Sequence, residues 1–303
     1  MSKTSRIGWI GVGKMGLPMV VLAKQAGFDV TAYDRSQDRL ALASAQGLTL
    51  AASANSAASG KDIVLASLPD DKTLRSAMFD VDGIVAAMSP DAVLVETSTV
   101  SAEISAELAT AAKEKGVHYL RAPVSGNASI AHTGALTCFV SGPKPAFERV
   151  RPVLGSFTRA QTYLGEAEEA RYAKLAVNLM IAVSAGMMAE SLALARKGGI
   201  AWQDILNVLD DSAVASPMVK YKTAPLRSRD FESTFSCRQM AKDLDLIIGA
   251  GHSVDVPLPL AAYMREVYGS LIAQGEGEVD FIAPVRQAER LSGLGEPETG
   301  NAQ

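Results

Sequence analysis

Residues 6–16 read Arg-Ile-Gly-Trp-Ile-Gly-Val-Gly-Lys-Met-Gly, and this stretch decides the fold. Its first five residues are typical of a short buried strand, and the residues from Lys14 onward favour a helix. Gly11 allows a tight turn, Gly13 lets backbone N–H groups approach a diphosphate, and Gly16 lets the helix pack closely on the strand. The pattern predicts a strand, turn and helix that bind a dinucleotide at the helix N-terminus.

A carboxylate follows the next apolar segment. Residues 28–33 form that segment, and it ends in Asp34, eighteen residues beyond Gly16. At this distance a carboxylate accepts hydrogen bonds from the adenosine ribose, which indicates NAD. Arg35 could instead hold a 2′-phosphate, so NADP stays the alternative cofactor. The predicted contacts of this part of the cofactor are Gly11, Val12, Gly13, Lys14, Met15, Gly16, Asp34 and Arg35.

Composition is typical of a cytoplasmic protein. The 303 residues are 48% hydrophobic and carry a formal net charge of −4. No Lys/Arg-rich stretch predicts a nucleic-acid partner, and no long uncharged apolar run predicts a membrane span. The N-terminal residues lack a signal-peptide core, and two cysteines are too few for a disulfide framework. The three scattered histidines lack metal-site spacing, so we expect no metal.

Strand-like and helical segments alternate along the first half of the chain. Further apolar segments fall at 62–68, 92–97, 117–120, 136–140 and 157–163, a pattern that predicts a largely parallel sheet. Strands then disappear, and helical patterns cover 168–197, 202–211, a run through Lys220, 234–249 and 258–274. We predict an α/β Rossmann domain over 1–164, an all-α C-terminal domain over 165–296, and a frayed tail over 297–303.

Three pairs of residues have two interpretations each. Lys174 and Asn178 share one helix face, where a buried lysine could act as a general acid or base, but spacing alone favours a snorkelling lysine beside a polar stripe. Leu68-Pro69 and Ser98-Thr99 follow strands, and they fit cofactor loops as well as an ordinary strand end and a helix N-cap. Lys242-Asp243 alone has the pattern of a surface pair.

Four motifs taken together resemble the β-hydroxyacid dehydrogenase family, which includes 3-hydroxyisobutyrate dehydrogenase and tartronate semialdehyde reductase. They are Gly16-Leu-Pro-Met19, Arg121-Ala-Pro-Val-Ser-Gly126, Lys174 with Asn178, and Lys242-Asp243-Leu244. The resemblance implies an NAD(P)-dependent oxidoreductase that transfers hydride between nicotinamide and a small 3-hydroxy acid or semialdehyde. It also implies a substrate that bears a carboxylate.

The resemblance also implies roles for individual residues. Lys174 matches the catalytic lysine and Asn178 its companion. Ser125 and Gly126 match the loop that holds the substrate carboxylate. The implied cofactor contacts are Leu68, Pro69 and Thr99, with Lys242 near the nicotinamide end.

The chain departs from the family pattern at three places. The family usually reads Asp-Ala-Pro-Val-Ser-Gly-Gly, whereas here Arg121 replaces the acid and Asn127 the second glycine. Asn127 would add an amide to the substrate loop, or support a helix start. Glu168 and Ala170 stand where the family prefers a glycine-rich approach to the lysine. Glu168 would disfavour a doubly anionic substrate, or face solvent as a helix-start carboxylate.

Two other functions compete with the dehydrogenase interpretation. Imine reductases are a related class that usually lacks a lysine at the position of Lys174, and some relatives with a replaced lysine are non-catalytic cofactor-binding modules. The intact Lys174 argues against both. The long apolar helix predicted over 168–197 favours a homodimer or homotetramer.

Overall fold

A computed structural model describes residues 5–80 and 83–297. The chain divides into two compact units, Met1–Lys174 and Leu175–Gln303, which we call the sheet unit and the helical unit. The predicted domain boundary lies ten residues earlier, between 164 and 165, and remains a prediction. Of the predicted tail over 297–303, residues 298–303 lie outside the described residues.

Strands and helices alternate through the sheet unit. The strands are β1 (Arg6–Ile10), β2 (Asp29–Tyr33), β3 (Thr49–Leu50), β4 (Ile63–Ala66), β5 (Val93–Glu96), β6 (His118–Arg121), β7 (Val124–Ser125), β8 (Leu136–Ser141) and β9 (Thr158–Gly165). The helices are α1 (Gly16–Gln25), α2 (Gln37–Ala45), α3 (Ala54–Ala58), α4 (Asp71–Phe79), α5 (Ile84–Ala87), α6 (Ala102–Glu114), α7 (Ala128–His132) and α8 (Lys144–Gly155).

The strands form one mostly parallel sheet. Their order is β3-β2-β1-β4-β5-β6-β8-β7, and β9 also pairs with β8. The strands from β3 to β6 are parallel, β8 is antiparallel to β6 and β7, and β9 runs parallel to β8. The order reverses at β1, which has β2 on one side and β4 on the other. In doubly wound sheets, ligands bind at the carboxyl ends of the strands where this reversal occurs.

Apolar side chains cover both faces of the central strands. All four residues of β4 and all four of β5 are buried, as expected of parallel strands with helices on both faces. Trp9 of β1 is fully buried and meets Phe157 edge to face at 5.7 Å between ring centroids. The next segment of the chain, from β1 into α1, is therefore supported by a packed core.

The helical unit is an all-α assembly. Helix α9 (Glu169–Lys197) begins in the sheet unit and continues into the helical unit. It is followed by α10 (Trp202–Asp211), α11 (Pro217–Arg227), α12 (Cys237–Ser253), α13 (Pro259–Ala273) and α14 (Pro284–Leu291). The parallel sheet followed by helices confirms the predicted fold class.

Within the described residues, α9 is the one helix whose length and hydropathy would suit a membrane span. The mean hydropathy of its most apolar window is 1.6, and 39% of that window is buried in the protein. Core helices of soluble proteins have the same composition, so this helix is weak evidence for a membrane.

Candidate active site

The turn between β1 and α1 gives each of its three glycines a different environment. Gly11 has φ +91°, and a Cβ there would lie 2.3 Å from the carbonyl oxygen of Ser67. A Cβ on Gly16 would lie 2.0 Å from the carbonyl oxygen of Gly11, so the helix approaches the turn too closely for any side chain. A Cβ on Gly13 would meet no atom within 4 Å. Two glycines are therefore required by the fold, and the third borders open space.

The open space beside Gly13 fits a bound diphosphate. Met15 stands at the N-cap position of α1 and provides no side-chain cap, so the turn keeps backbone donors at a helix N-terminus. Lys14 is exposed, whereas Val12 is buried. The geometry suits the predicted cofactor contacts, which remain predictions residue by residue.

Asp34 is fixed against this turn by backbone hydrogen bonds. Its Oδ2 accepts from the N–H of Val12 at 2.9 Å, and its Oδ1 accepts from the N–H of Ser36 at 2.9 Å. A carboxylate has about four acceptor sites, so Asp34 retains capacity for ribose hydroxyls. Arg35 is exposed. The carboxylate is thus oriented by the chain, and the neighbouring guanidinium extends from the surface.

The loops after β4 and β5 are joined by one serine. The buried Ser98 accepts from the N–H of Leu68 through its Oγ at 2.8 Å. Pro69 is exposed and Thr99 is half-buried. The structure therefore brings together the two loops that hold the predicted contacts Leu68, Pro69 and Thr99.

A buried ion pair lies behind these loops. Glu96 ends β5 with 0% exposure, and Arg171 lies in the first turns of α9 with 1% exposure. Their side chains form a salt bridge. Arg171 also donates through Nη1 to the carbonyl oxygen of Ser98 at 2.7 Å, and the N–H of Ser98 donates to Glu96. Sequence reasoning missed both charged residues.

A second ion pair explains two of the departures from the family pattern. The guanidinium of Arg121 donates to the carboxylate of Glu168, and the two side chains are 6% and 20% exposed. Glu168 is therefore paired rather than facing solvent, which corrects the helix-start interpretation, whereas its effect on a doubly anionic substrate stays a prediction. The departures at Arg121 and Glu168 therefore form a single structural change, since the charge of each residue neutralises that of the other.

The predicted substrate loop contains a helix cap. Ser125 ends β7, Gly126 has φ +132°, and Asn127 is the N-cap of α7. The Oδ1 atom of Asn127 accepts from the N–H of Ile130 at 3.0 Å. The helix-start role of Asn127 is therefore present, and a role in substrate binding would depend on its Nδ2.

Lys174 and Asn178 lie one turn apart on α9. They are 8% and 5% exposed, which argues against a snorkelling lysine with its amino group in water. In the helical unit, Asn178 donates through Nδ2 to Asp243 at 2.6 Å. Asp243 is 1% exposed and lies 2.8 Å from the Nζ of Lys242. Lys242 and Asp243 are therefore not the surface pair that their pattern suggests, and Asp243 is a site candidate that sequence reasoning missed.

Family comparisons agree with this geometry. Residues 6–165 match the model described as the NAD binding domain of 6-phosphogluconate dehydrogenase, which covers more than half of the chain. Residues 169–288 match the model described as NAD-binding of NADP-dependent 3-hydroxyisobutyrate dehydrogenase. The chain belongs to the β-hydroxyacid dehydrogenase family. As a member it uses NAD or NADP as cofactor.

Individual members of the β-hydroxyacid dehydrogenase family match over nearly their full length. The chain is 30% identical to 2-(hydroxymethyl)glutarate dehydrogenase of Eubacterium barkeri, over 97% of this chain and 98% of that protein. A structure of Mycobacterium tuberculosis 3-hydroxyisobutyrate dehydrogenase with L-serine has TM-score 0.84 and 28% identity, and covers 94% of this chain and 99% of that one.

The structure of an imine reductase from Myxococcus stipitatus in complex with NADP+ has TM-score 0.64 and 19% identity, and the match covers 93% of this chain and 99% of that one. This last likeness shows the fold alone.

Within residues 5–80 and 83–297, no cluster of three His, Cys, Asp or Glu side chains is arranged to hold a metal.

Proposed function

We propose that this chain is an NAD-dependent dehydrogenase of a small 3-hydroxy acid, or a reductase of the matching semialdehyde, with Lys174 as general acid and base. The observation that carries the proposal is the burial of Lys174 on α9, one turn before Asn178, whose amide is held by the buried Asp243. A lysine amine held in a buried position can take a proton from a bound substrate or give one to it.

In the proposed reaction the chain moves a proton and orients the reactants. Bound nicotinamide supplies the hydride acceptor or donor at its C4 atom. The neutral amine of Lys174 takes the hydroxyl proton when the alcohol is oxidised, and its ammonium returns the proton when the carbonyl is reduced. Asn178 orients the substrate or the lysine. Asp243 accepts from the Nδ2 of Asn178 and thereby fixes the orientation of its amide oxygen, Oδ1.

We propose that Asp34 makes NAD the preferred cofactor. Its carboxylate is oriented by Val12 and Ser36 and stands at the end of β2, where it would accept from the ribose and repel a 2′-phosphate. Arg35 is the residue through which NADP would bind in the alternative. The substrate carboxylate is assigned to Ser125 and the backbone around Gly126, with Nδ2 of Asn127 as an additional donor.

The test is a turnover assay of the purified protein with NAD, NADP and their reduced forms. Substrates are small 3-hydroxy acids, including 2-(hydroxymethyl)glutarate and L-serine, with the matching semialdehydes and a set of cyclic imines. We expect oxidation of a hydroxy acid, and its loss in Lys174→Ala. Lys197→Ala is the matched control, since Lys197 is an exposed lysine at the other end of α9. Turnover of imines alone, or cofactor binding without turnover, would replace the proposal by one of its two alternatives.

We also propose a cytoplasmic homodimer or homotetramer. Helix α9 exposes Met180, Met187 and Leu194, which are 72%, 58% and 76% exposed and recur every seven residues. Such an exposed apolar stripe favours packing against a second copy. Light scattering should give a dimer or larger, and Met187→Glu should shift it toward the monomer. Leu42→Glu, at an exposed leucine of the sheet unit, is the control.

A further inference from the structure

Arg171 stands at the centre of a buried hydrogen-bond network in the sheet unit. Its guanidinium pairs with Glu96, donates to the carbonyl oxygen of Ser98 at 2.7 Å, and donates to the hydroxyl of Tyr119 at 3.2 Å. The four residues belong to β5, the loop that follows it, β6 and α9. The network therefore fastens the first turns of α9 to the carboxyl end of β5 and to the neighbouring strand β6.

The network continues to the second ion pair. The hydroxyl of Tyr119 lies 3.2 Å from the Oγ of Ser105. Arg121 donates through Nε to the Oγ of Ser105 at 3.1 Å. Arg121 also lies 4.6 Å over the Tyr119 ring and pairs with Glu168. The charged groups around Arg171 are thus Glu96, Arg121 and Glu168, with Asp71 acting at longer range. The chain is therefore held at Glu168, the residue before α9, and again at Arg171 inside the helix.

Two candidate parts of the active site depend on this network. Ser98 is held by Glu96 and Arg171, and Ser98 in turn holds the N–H of Leu68. The loops assigned to the cofactor are therefore fixed by the network. Lys174 follows Arg171 by three residues on the same helix, which places the two side chains on neighbouring positions of one face.

We propose that Arg171, held by Glu96, is a positioning residue for the reaction: it fixes both the loop of residues 97–99 and the helical turn that carries Lys174. This inference rests on the proposed function. A buried ion pair adds little to stability over an apolar pair of the same size, whereas it defines geometry through directed hydrogen bonds. Its place between the cofactor loops and the proposed general acid and base is the basis of the assignment.

Steady-state kinetics of the full chain give the first test. Arg171→Gln should lower kcat by about tenfold to a hundredfold, as expected when a catalytic group loses its alignment. Cofactor affinity should fall by less than kcat, since only the loops of Leu68 and Thr99 depend on the network, whereas the glycine turn and Asp34 lie outside it. Arg171→Lys keeps the charge beside Glu96 and should recover part of kcat.

A second readout follows Lys174 in the protein without cofactor. Acetic anhydride modifies neutral amines, so the pH dependence of Lys174 labelling, measured by mass spectrometry, gives its apparent pKa. Arg171→Gln removes a positive charge and should raise that pKa, whereas Glu96→Gln leaves a positive charge unbalanced and should lower it. The double variant Glu96→Gln/Arg171→Gln should return near the wild type. Alignment is tested by kcat, which should fall in both single variants although their effects on the Lys174 pKa have opposite sign.

Arg196→Gln is the matched control. Arg196 lies on the same helix and pairs with the buried Glu289 in the helical unit. Its loss should lower the melting temperature and leave both kcat and Lys174 labelling unchanged. The inference is overturned if Arg171→Gln keeps full kcat, or if it lowers kcat with Lys174 labelling unchanged.

If Arg171→Gln does not fold, Arg171→Lys and Glu96→Gln decide the matter by the same two measurements. Full activity in Lys174→Ala would instead contradict the proposed function itself, and the two failures are therefore distinguishable.

Discussion

The sheet unit and the helical unit both bury ion pairs, but they place them differently. In the sheet unit, Glu96 and Arg121 stand at the carboxyl ends of β5 and β6, and their partners Arg171 and Glu168 lie at the start of α9. This is the edge of the sheet where the candidate cofactor loops begin. Buried charge in the sheet unit is therefore concentrated beside the candidate active site.

In the helical unit, buried charge other than Asp243 of the candidate site joins core segments to one another. Asp280 accepts from the Nζ of Lys222 at 2.6 Å, and from the N–H and hydroxyl of Thr234 at 3.2 Å and 3.0 Å. Burial lowers the pKa of Lys222, and the carboxylate of Asp280 opposes that shift. Glu289 is likewise held by Arg196 and Arg229. The same chemistry serves stability in one unit and, by our proposal, alignment in the other.

The sharpest test of this contrast is Lys174→Ala, where we expect the largest effect. Turnover should fall by roughly two to four orders of magnitude, the usual contribution of a positioned general acid or base. Folding and cofactor binding should be retained, as followed by circular dichroism and by cofactor fluorescence titration. Lys174→Arg should fail as well, because a guanidinium stays protonated. Near-normal turnover in a folded Lys174→Ala protein would contradict the assignment.

Asp280→Ala should lower the stability of the protein and leave its turnover unchanged, the reverse of what we expect for Lys174→Ala. It leaves Lys222 buried without its carboxylate, which should cost about 3–5 kcal/mol of the free energy of unfolding. Urea denaturation measures that loss, and kcat per folded molecule should stay unchanged. The double variant Lys222→Met/Asp280→Leu should be less destabilised than the single one. A fall in kcat without a loss of stability would break the contrast between the two units.

A smaller effect is expected at the ribose end of the cofactor. Asp34→Asn removes the negative charge and keeps an acceptor for the N–H of Val12 at the expense of the one from Ser36, so NAD should bind about tenfold more weakly and NADP should not. Arg35→Ala should affect NADP and spare NAD. Dissociation constants from fluorescence titration decide between them. A wild type that prefers NADP and is weakened only by Arg35→Ala would reverse our cofactor assignment.

Asn127 allows its two roles to be separated. Asn127→Ser keeps a side-chain oxygen for the N-cap of α7 and removes Nδ2, so stability should change little. If Nδ2 contacts substrate, the ranking of small hydroxy acids by kcat/KM should shift by about tenfold, since a lost polar partner costs roughly 1–3 kcal/mol. An unchanged ranking would leave Asn127 with its capping role alone.

The smallest effect is expected at the thiols, since each unit holds one buried cysteine. Burial raises the pKa of Cys237 to about 12 and that of Cys138 further still, so neither forms thiolate at pH 8. A thiol reagent such as dithionitrobenzoate should therefore not react with the folded protein. In rising urea, Cys138 reports opening of the sheet unit and Cys237 opening of the helical unit. Rapid labelling of either in native buffer would contradict its burial.

Much of the fold was predictable because its signals are local. The glycine turn and the alternation of apolar segments predicted the Rossmann fold, and β1 and α10 occupy the predicted residues. Two strands were missed, β3 and β7, because two residues cannot show a periodicity. The antiparallel direction of β8 was missed as well, since direction is set by tertiary pairing and leaves no local pattern.

The candidate site was less predictable because its parts meet through tertiary contacts. Glu96 and Arg171 are 75 residues apart, and Asn178 and Asp243 are 65 apart. A carboxylate ending an apolar strand and an arginine inside an apolar helix were visible signals, because such charges are rarely buried without partners. Arg121 and Glu168 were noticed as two departures, and their pairing could not be derived from spacing.

The ion pair of Arg121 with Glu168 also constrains how this chain can change. Replacing Glu168 alone leaves the buried guanidinium of Arg121 without its partner, which costs about 3–5 kcal/mol in typical proteins, and replacing Arg121 alone leaves the half-buried carboxylate of Glu168 unpaired at a smaller cost. A typical domain is stable by only about 5–15 kcal/mol, so one such step removes a large share of its stability. An exchange of Arg121 for the acid of the usual family motif therefore requires residue 168 to change as well. The two positions should covary among close relatives, and grafting the usual motif onto this chain should succeed only when residue 168 is altered with it.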